Sequence, residues 1–318
     1  MDIFIFFISF ILFICAFILL ASYICFIKVF KTPKRSVLKV GEYDLPPGEE
    51  YAKFHPQIKL WMDSIRSMNR EPVEIKSFDG LTLRGYYYEY SPDSPIELLF
   101  HGYSGNSERD LSGGVERCFA LGRSTILIDH RGSGLSEGSV CTFGIKERLD
   151  CLEWIKFANQ KFGNNRPIII GGISMGAATV MMASAENLPE NVVCVMADCG
   201  YSSQKEIICK VVKEMHLPDK LLYPFIKLGA RIYGKFDLEE ITPIEAVAKS
   251  KTPTVFIHGD TDDFVPYYMS VECFNACSAP KKIVTIEGAG HGLAFPANQT
   301  KYIESLKDFE REANIFNK

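Results

Sequence analysis

The sequence predicts an α/β protein: a mostly parallel sheet with an antiparallel start, helices on both faces, a helical insertion, and one membrane-spanning helix ahead of it all. Three observations predict it. From about residue 70 onward, short apolar runs alternate with helical stretches, the pattern of strands buried on both sides. A strand-free stretch of about 45 residues between Ser203 and Lys251 is too long for a plain connection. Residues Ile3 to Ile27 carry no charge.

Taken in order, residues 3–27 are long enough as a helix to cross a ~30 Å hydrocarbon core with some tilt. A cleaved signal peptide fits poorly, because Met1-Asp2 is not a basic start and bulky Tyr23, Ile24 and Phe26 fill the end of the run. Lys28, Lys31, Lys34, Arg35 and Lys39 follow the span and no basic residue precedes it. The positive-inside rule then makes this a single-pass protein of the cell membrane with a cytoplasmic body. Residues 28–70 form a basic juxtamembrane connector containing Pro46-Pro47 and an amphipathic stretch from Leu60 to Met68. The remaining chain, 71–318, is one domain with 204–250 as a helical lid.

In that domain Val73–Phe78 and Leu81–Tyr90 flank Asp79-Gly80, which predicts a hairpin with a type I′ turn. Further strands are expected at Ile96–Phe100, Ser124–Asp129, Pro167–Gly171, Val192–Ala197, Thr254–His258 and Lys282–Ile286. Helices are expected at about 146–162, 177–186 and 298–314. Pro218, Pro224 and Pro243 break the insertion into helical pieces.

Composition excludes other classes. With 318 residues, 47% apolar and 23% charged, the chain is globular rather than disordered. A net charge of −4 is not that of a protein built to wrap nucleic acid. Ten cysteines form no CxxC pair, and no His or Cys cluster has metal-site spacing, so no metal and no cofactor are expected. Gly132-x-Gly134 lacks the later glycine and the helix start of a dinucleotide fingerprint.

The chemistry centres on Gly172-Ile173-Ser174-Met175-Gly176. Gly134-Leu135-Ser136-Glu137-Gly138 also matches Gly-x-Ser-x-Gly, so context decides. Ser174 follows an apolar strand and precedes a small-residue helix start, the strand–turn–helix that a nucleophile elbow needs, with Gly172 and Gly176 permitting the turn. Ser136 follows a polar loop and reads as structural. A serine hydroxyl needs a base and a group to orient that base. His291, in the glycine-rich loop after the last strand, lies at the right sheet edge. His258 reads as a packed histidine and His216 as lid surface. Asp198, Asp260, Asp262 and Asp263 could each reach the imidazole from that edge. Acyl transfer also needs two donors aimed at a developing oxyanion. The backbone N–H of Met175 is one. Tyr103 N–H, in the loop His101-Gly102-Tyr103 where Gly102 lets the backbone turn, is the other.

Leu99-Phe100-His101-Gly102, Asp129-His130-Arg131-Gly132-x-Gly134-x-Ser136, Gly172-x-Ser174-x-Gly176, His258-Gly259-x-x-Asp262-x-x-Val265-Pro266 and Gly288-x-Gly290-His291 together resemble the α/β-hydrolase superfamily. More narrowly they resemble its serine-aminopeptidase-like branch of lidded hydrolases, which includes membrane-anchored members. The resemblance covers about residues 70–315 and implies that Asp262 is the triad acid. It implies little about substrate, since one fold hosts many activities.

The function expected is therefore a membrane-anchored serine hydrolase that cleaves an ester or thioester of a small, acyl-containing or lipid-like substrate through an acyl-enzyme. Leu217, Leu221, Leu222, Phe225 and Leu228 of the lid either line an acyl slot or pack the lid on the core. A serine peptidase of aminopeptidase type, with Glu239-Glu240 holding a peptide terminus, is the alternative. A non-catalytic scaffold on the same fold comes third.

Overall fold

The computed structural model of the chain describes residues 2–32 and 41–316. Lys34, Arg35 and Lys39 lie outside the described residues. Helix α1 (Asp2–Phe30) is followed by α2 (Glu49–Ala52) and α3 (His55–Ser67). Then come β1 (Glu71–Lys76), β2 (Thr82–Tyr88), β3 (Ile96–Phe100), α4 (Ser107–Ala120), β4 (Ser124–Ile128), α5 (Glu147–Phe162), β5 (Ile168–Ile173), α6 (Met175–Ala183) and β6 (Val192–Asp198). The insertion holds α7 (Gln204–Glu214), α8 (Asp219–Gly229), a π-helical turn at Ala230–Gly234 and α9 (Pro243–Lys249). The chain closes with β7 (Thr254–Gly259), α10 (Tyr267–Ala276), β8 (Lys281–Ile286), α11 (Ala294–Ala297) and α12 (Gln299–Glu312).

The eight strands form one sheet in the order β1-β2-β4-β3-β5-β6-β7-β8. The pairs β1/β2 and β2/β4 are antiparallel and the rest are parallel. Strands β3, β4 and β7 are buried along their whole length, as a sheet covered on both faces requires. One face packs on α3, α4 and α12 through Trp61, Val115 and Leu306; the other packs on α5, α6 and α10 through Trp154, Ala177 and Met269.

The hairpin turn differs from its expected form. Lys76 pairs with Thr82, leaving a five-residue loop in which Gly80 N–H donates to Ser77 O (3.0 Å) and only Gly80, at φ +93°, has a positive φ. A type I′ turn needs positive φ at both central residues. Here Asp79 is not among the residues with positive φ, so the turn is not type I′. Helices α4 and α10 have no counterpart among the expected elements. In α4, Gly113-Gly114 weakens the helical signal. A β-carbon at Gly113 would stand 2.7 Å from the Trp61 ring and one at Gly114 2.8 Å from Leu99, so close approach to α3 and β3 is what these glycines provide.

Helix α1 is long and apolar enough to cross a membrane, and its most apolar window is wholly unburied. Its last turns are different. Phe26 and Phe30 are buried among Phe143, Tyr233 and Phe236. The terminal carbonyls, which have no partner within a helix, are taken by the domain: Cys141 N–H donates to Phe30 O at 2.8 Å and Tyr103 OH to Val29 O at 2.8 Å. Thr32 N–H in turn donates to Ser139 O at 3.1 Å. The inserted helices α8 and the π-helical turn pack on this end of α1, where Tyr233 OH donates to Leu19 O.

Candidate active site

Ser174 sits between the end of β5 and the start of α6, at φ 57° and ψ −115°, a conformation a non-glycine residue adopts only when its surroundings force it. Two glycines make the turn possible. A β-carbon at Gly176 would stand 2.0 Å from Phe100 O, and one at Gly172 2.2 Å from the carbonyl carbon of Gly176. Ser174 N–H donates to Asp198 O at 2.8 Å, which ties the turn to β6.

Three long-range partners meet at this edge. The Ser174 hydroxyl lies 2.9 Å from His291 Nε2, and His291 Nδ1 lies 2.7 Å from Asp262 Oδ2. Asp262 Oδ1 accepts the N–H groups of Phe264 (3.0 Å) and Val265 (2.8 Å). His258, expected only as packing, reaches the same carboxylate: its Nε2 is 3.0 Å from Asp262 Oδ2 and 2.8 Å from Val265 O, and its Nδ1 is 2.6 Å from Ser270 Oγ. A carbonyl can only accept, so His258 Nε2 carries a proton. Burial by itself would raise the Asp262 carboxyl. The hydrogen bonds from His258 and His291 outweigh it and hold the group at about 2.

The other expected residues are placed as follows. Met175 is the first residue of α6, so its N–H has no acceptor within the helix. His101 is fully buried; its Nδ1 donates to Gly102 O (2.7 Å) and its Nε2 accepts from His130 N–H (3.0 Å), fixing the loop after β3 against that after β4. Gly102 N–H donates to Asp110 Oδ2 at 3.2 Å, and Tyr103 follows it at the cavity wall. Ser136 is engaged structurally: its hydroxyl donates to Asp129 O (2.7 Å) and accepts from Arg84 N–H (2.8 Å). Asp260 Oδ1 accepts from Gly288 N–H at 2.7 Å, bracing the loop that carries His291.

Cys199 Sγ, Asp262 and His291 bring possible ligand atoms within 4.8 Å of one another. The carboxylate and imidazole atoms are engaged with each other, and burial holds the Cys199 thiol well above its ordinary value, as a neutral thiol.

Ser174 and His291 face a cavity of about 480 Å³. Its mouth is bordered by Pro46, Pro47, Glu50 and Tyr51, and its apolar walls by Trp61, Leu99 and Phe295. Leu217, Leu221, Leu222, Phe225 and Leu228 are absent from its lining. The acyl-slot reading of these five residues is thereby corrected: α8 is turned toward α1, with Leu217 and Leu221 exposed. The segment before β1 covers the site instead.

A family model described as alpha/beta hydrolase fold matches residues 98–226. The Pyrococcus furiosus esterase PF2001 superposes with a TM-score of 0.67 at 20% identity, covering 89% of this chain and 98% of that one. The chain has the α/β-hydrolase fold. It is also similar to protein YqkD of Bacillus subtilis, 23% identical over 78% of this chain and 81% of that one. Protein bem46 of Schizosaccharomyces pombe is 27% identical over 68% of each chain.

Proposed function

We propose that this α/β hydrolase is a membrane-anchored serine hydrolase that cleaves an ester or thioester through an acyl-enzyme. The observation that carries the reading is the unbroken chain Ser174–His291–Asp262, at 2.9 and 2.7 Å, on a strained elbow at the edge of a cavity. Ser174 Oγ attacks the acyl carbon while His291 Nε2 takes its proton. Asp262 holds the imidazole with Nδ1 protonated and stabilises the imidazolium that forms. The N–H groups of Met175 and Tyr103 receive the oxyanion. His291 returns the proton to the leaving group, the ester C–O or thioester C–S bond breaks, and a water activated by the same imidazole releases the acid. Similarity to a Pyrococcus esterase supports an ester substrate.

Residues 3–27 are the retained anchor. Phe26 and Phe30 fill the core of the domain, and a leader cut away would leave those places empty. Lys28 and Lys31 after the span orient the domain to the cytoplasmic side of the cell membrane.

The test is labelling of the full-length, detergent-solubilised protein with a fluorophosphonate probe. Labelling is expected in wild type and Ser136→Ala and lost in Ser174→Ala. Folded wild-type protein that does not label overturns the reading.

A further inference from the structure

Helix α1 meets the domain before its apolar run is finished. Residues 3–17 are all exposed. From residue 18 onward one side is covered, Ile18 in part and Ser22, Phe26 and Phe30 fully, at the four-residue spacing of one helix face. The cover is α8 and the π-helical turn Ala230–Gly234. A β-carbon at Gly229 would stand 2.4 Å from Ser22 O, so the two helices approach closely through small residues. Tyr233 reaches farther along. Its ring meets that of Tyr23 edge-on at 5.1 Å, and its hydroxyl donates to Leu19 O at 3.0 Å. Gly229 therefore stands beside Ser22 and Phe26, and Tyr233 beside Leu19 and Tyr23: the chain runs down α1 toward its N-terminus, and the π-helical turn is the end nearest the free apolar part.

Helix length decides where this contact lies. Residues 3–17 make about 22 Å of helix, too little for a hydrocarbon core of about 30 Å. Reaching about 30 Å takes residues 3–22, a stretch that includes Leu19 and Ser22 and ends at Tyr23. We propose that the π-helical turn Ala230–Gly234 is a second membrane contact, seated in the interfacial layer of the bilayer beside α1. The proposal rests on the membrane-anchored reading and adds a phospholipid-binding surface to it. Tyr23 and Tyr233 form an aromatic pair at the depth where such rings are favoured. A phenol drawn away from water needs a partner within the protein, and Leu19 O is that partner. Ile232 is exposed on the same turn and has acyl chains for neighbours. Lys28, Arg231 and Lys235 are exposed at this end of the two helices, and their long stems carry the charges outward to headgroup phosphates. An apolar side chain, paired phenols and cations gathered at one end of the span fit the graded chemistry of a phospholipid interface.

The test is fluorescence quenching in full-length protein reconstituted in liposomes of phosphatidylcholine and phosphatidylglycerol. Tryptophan is introduced singly, by Phe10→Trp in the span, Ile232→Trp on the turn and Tyr90→Trp at a control site. Tyr90 is exposed beside the start of β4, at the opposite edge of the sheet from Tyr103 and the end of α1. The native Trp61 and Trp154 are buried in the domain, and wild type supplies their signal for subtraction. The quenchers are phosphatidylcholines brominated either near the head or near the middle of the acyl chain. The added fluorescence of Ile232→Trp is expected to be quenched at least about twofold more than that of Tyr90→Trp, as a side chain in the interface requires. Bromines near the head should quench Ile232→Trp best, and those near the middle Phe10→Trp. Should Ile232→Trp fail to fold, Arg231→Trp, at the exposed neighbour on the same turn, reads the same layer. A turn quenched no more than Tyr90→Trp, with Phe10→Trp quenched, overturns the proposal and leaves the anchor standing. A Phe10→Trp that is not quenched overturns the anchor reading itself, and the proposal with it.

Discussion

Replacing Asp262 by Asn tests the electrostatics of the site as well as its chemistry. The carboxylate accepts from two backbone N–H groups at Oδ1 and two imidazoles at Oδ2. An amide offers one acceptor oxygen and turns an NH2 toward a set of donors, so one side of the group is mismatched whichever way it lies. The folded carboxyl at about 2, against an ordinary 3.8, corresponds to about 2 kcal/mol of stabilisation at neutral pH. In a domain of this size that is roughly 4–8 °C in Tm. The folded group titrates below the unfolded one, so this contribution is complete above pH ~4 and is lost as pH falls through ~2. Asp262→Asn should therefore melt below wild type at pH 7, with the gap narrowing at pH 3. Activity should fall much further, by about ten-thousand-fold in kcat, because the imidazole loses the partner that fixes its tautomer. The assay is p-nitrophenyl butyrate hydrolysis beside calorimetric melts at both pH values. Activity within tenfold of wild type, or a gap that widens on acidification, refutes the reasoning.

Two further outcomes follow from packing. Gly176→Ala places a β-carbon 2.0 Å from Phe100 O, a backbone atom that cannot retreat, and should cost more than ~4 kcal/mol or prevent folding, as read by denaturant midpoint and soluble yield. Phe30→Ala removes a fully buried ring packed at 5.8 Å from Phe143 and 5.3 Å from Phe236, and should lower stability by about 3–5 kcal/mol. An unchanged midpoint there would mean that the end of α1 contributes nothing to the domain.

The elements that were legible in the sequence are those whose signal is local. Strands such as Ile96–Phe100 and Ile168–Ile173 are runs of apolar residues, and the elbow is a strand, a glycine-flanked serine and a small-residue helix in a row. Ser174, His291 and Asp262, singled out by motif, order and resemblance, stand within hydrogen-bond distance of one another. What escaped depends on contacts between distant segments. His258 looks like any strand-end histidine, and nothing in its neighbours announces that it shares a carboxylate with His291. Helix α4 hides behind Gly113-Gly114, whose reasons are Trp61 some fifty residues earlier and Leu99 on β3. The segment 41–70 has the look of a spacer, yet Pro46, Tyr51 and Trp61 enclose the cavity. The apolar residues of α8 could face either the core or a neighbour, and only the fold shows that the neighbour is α1.

The way α1 ends has a mechanical consequence. Its last carbonyls are bonded by Tyr103 and Cys141, and its last rings are locked between those of the domain. A helix seated like this acts as a mast, and the enzyme cannot swivel on it as it would on a leash. With α1 as the proposed membrane anchor, tilt of the helix in a bilayer would be transmitted to the whole body, and the cavity mouth would keep one height and one heading above the lipid. An enzyme anchored in this way would sample a thin shell of space: it would meet substrates that lie in that shell by diffusing in two dimensions, and miss those held a few nanometres farther out.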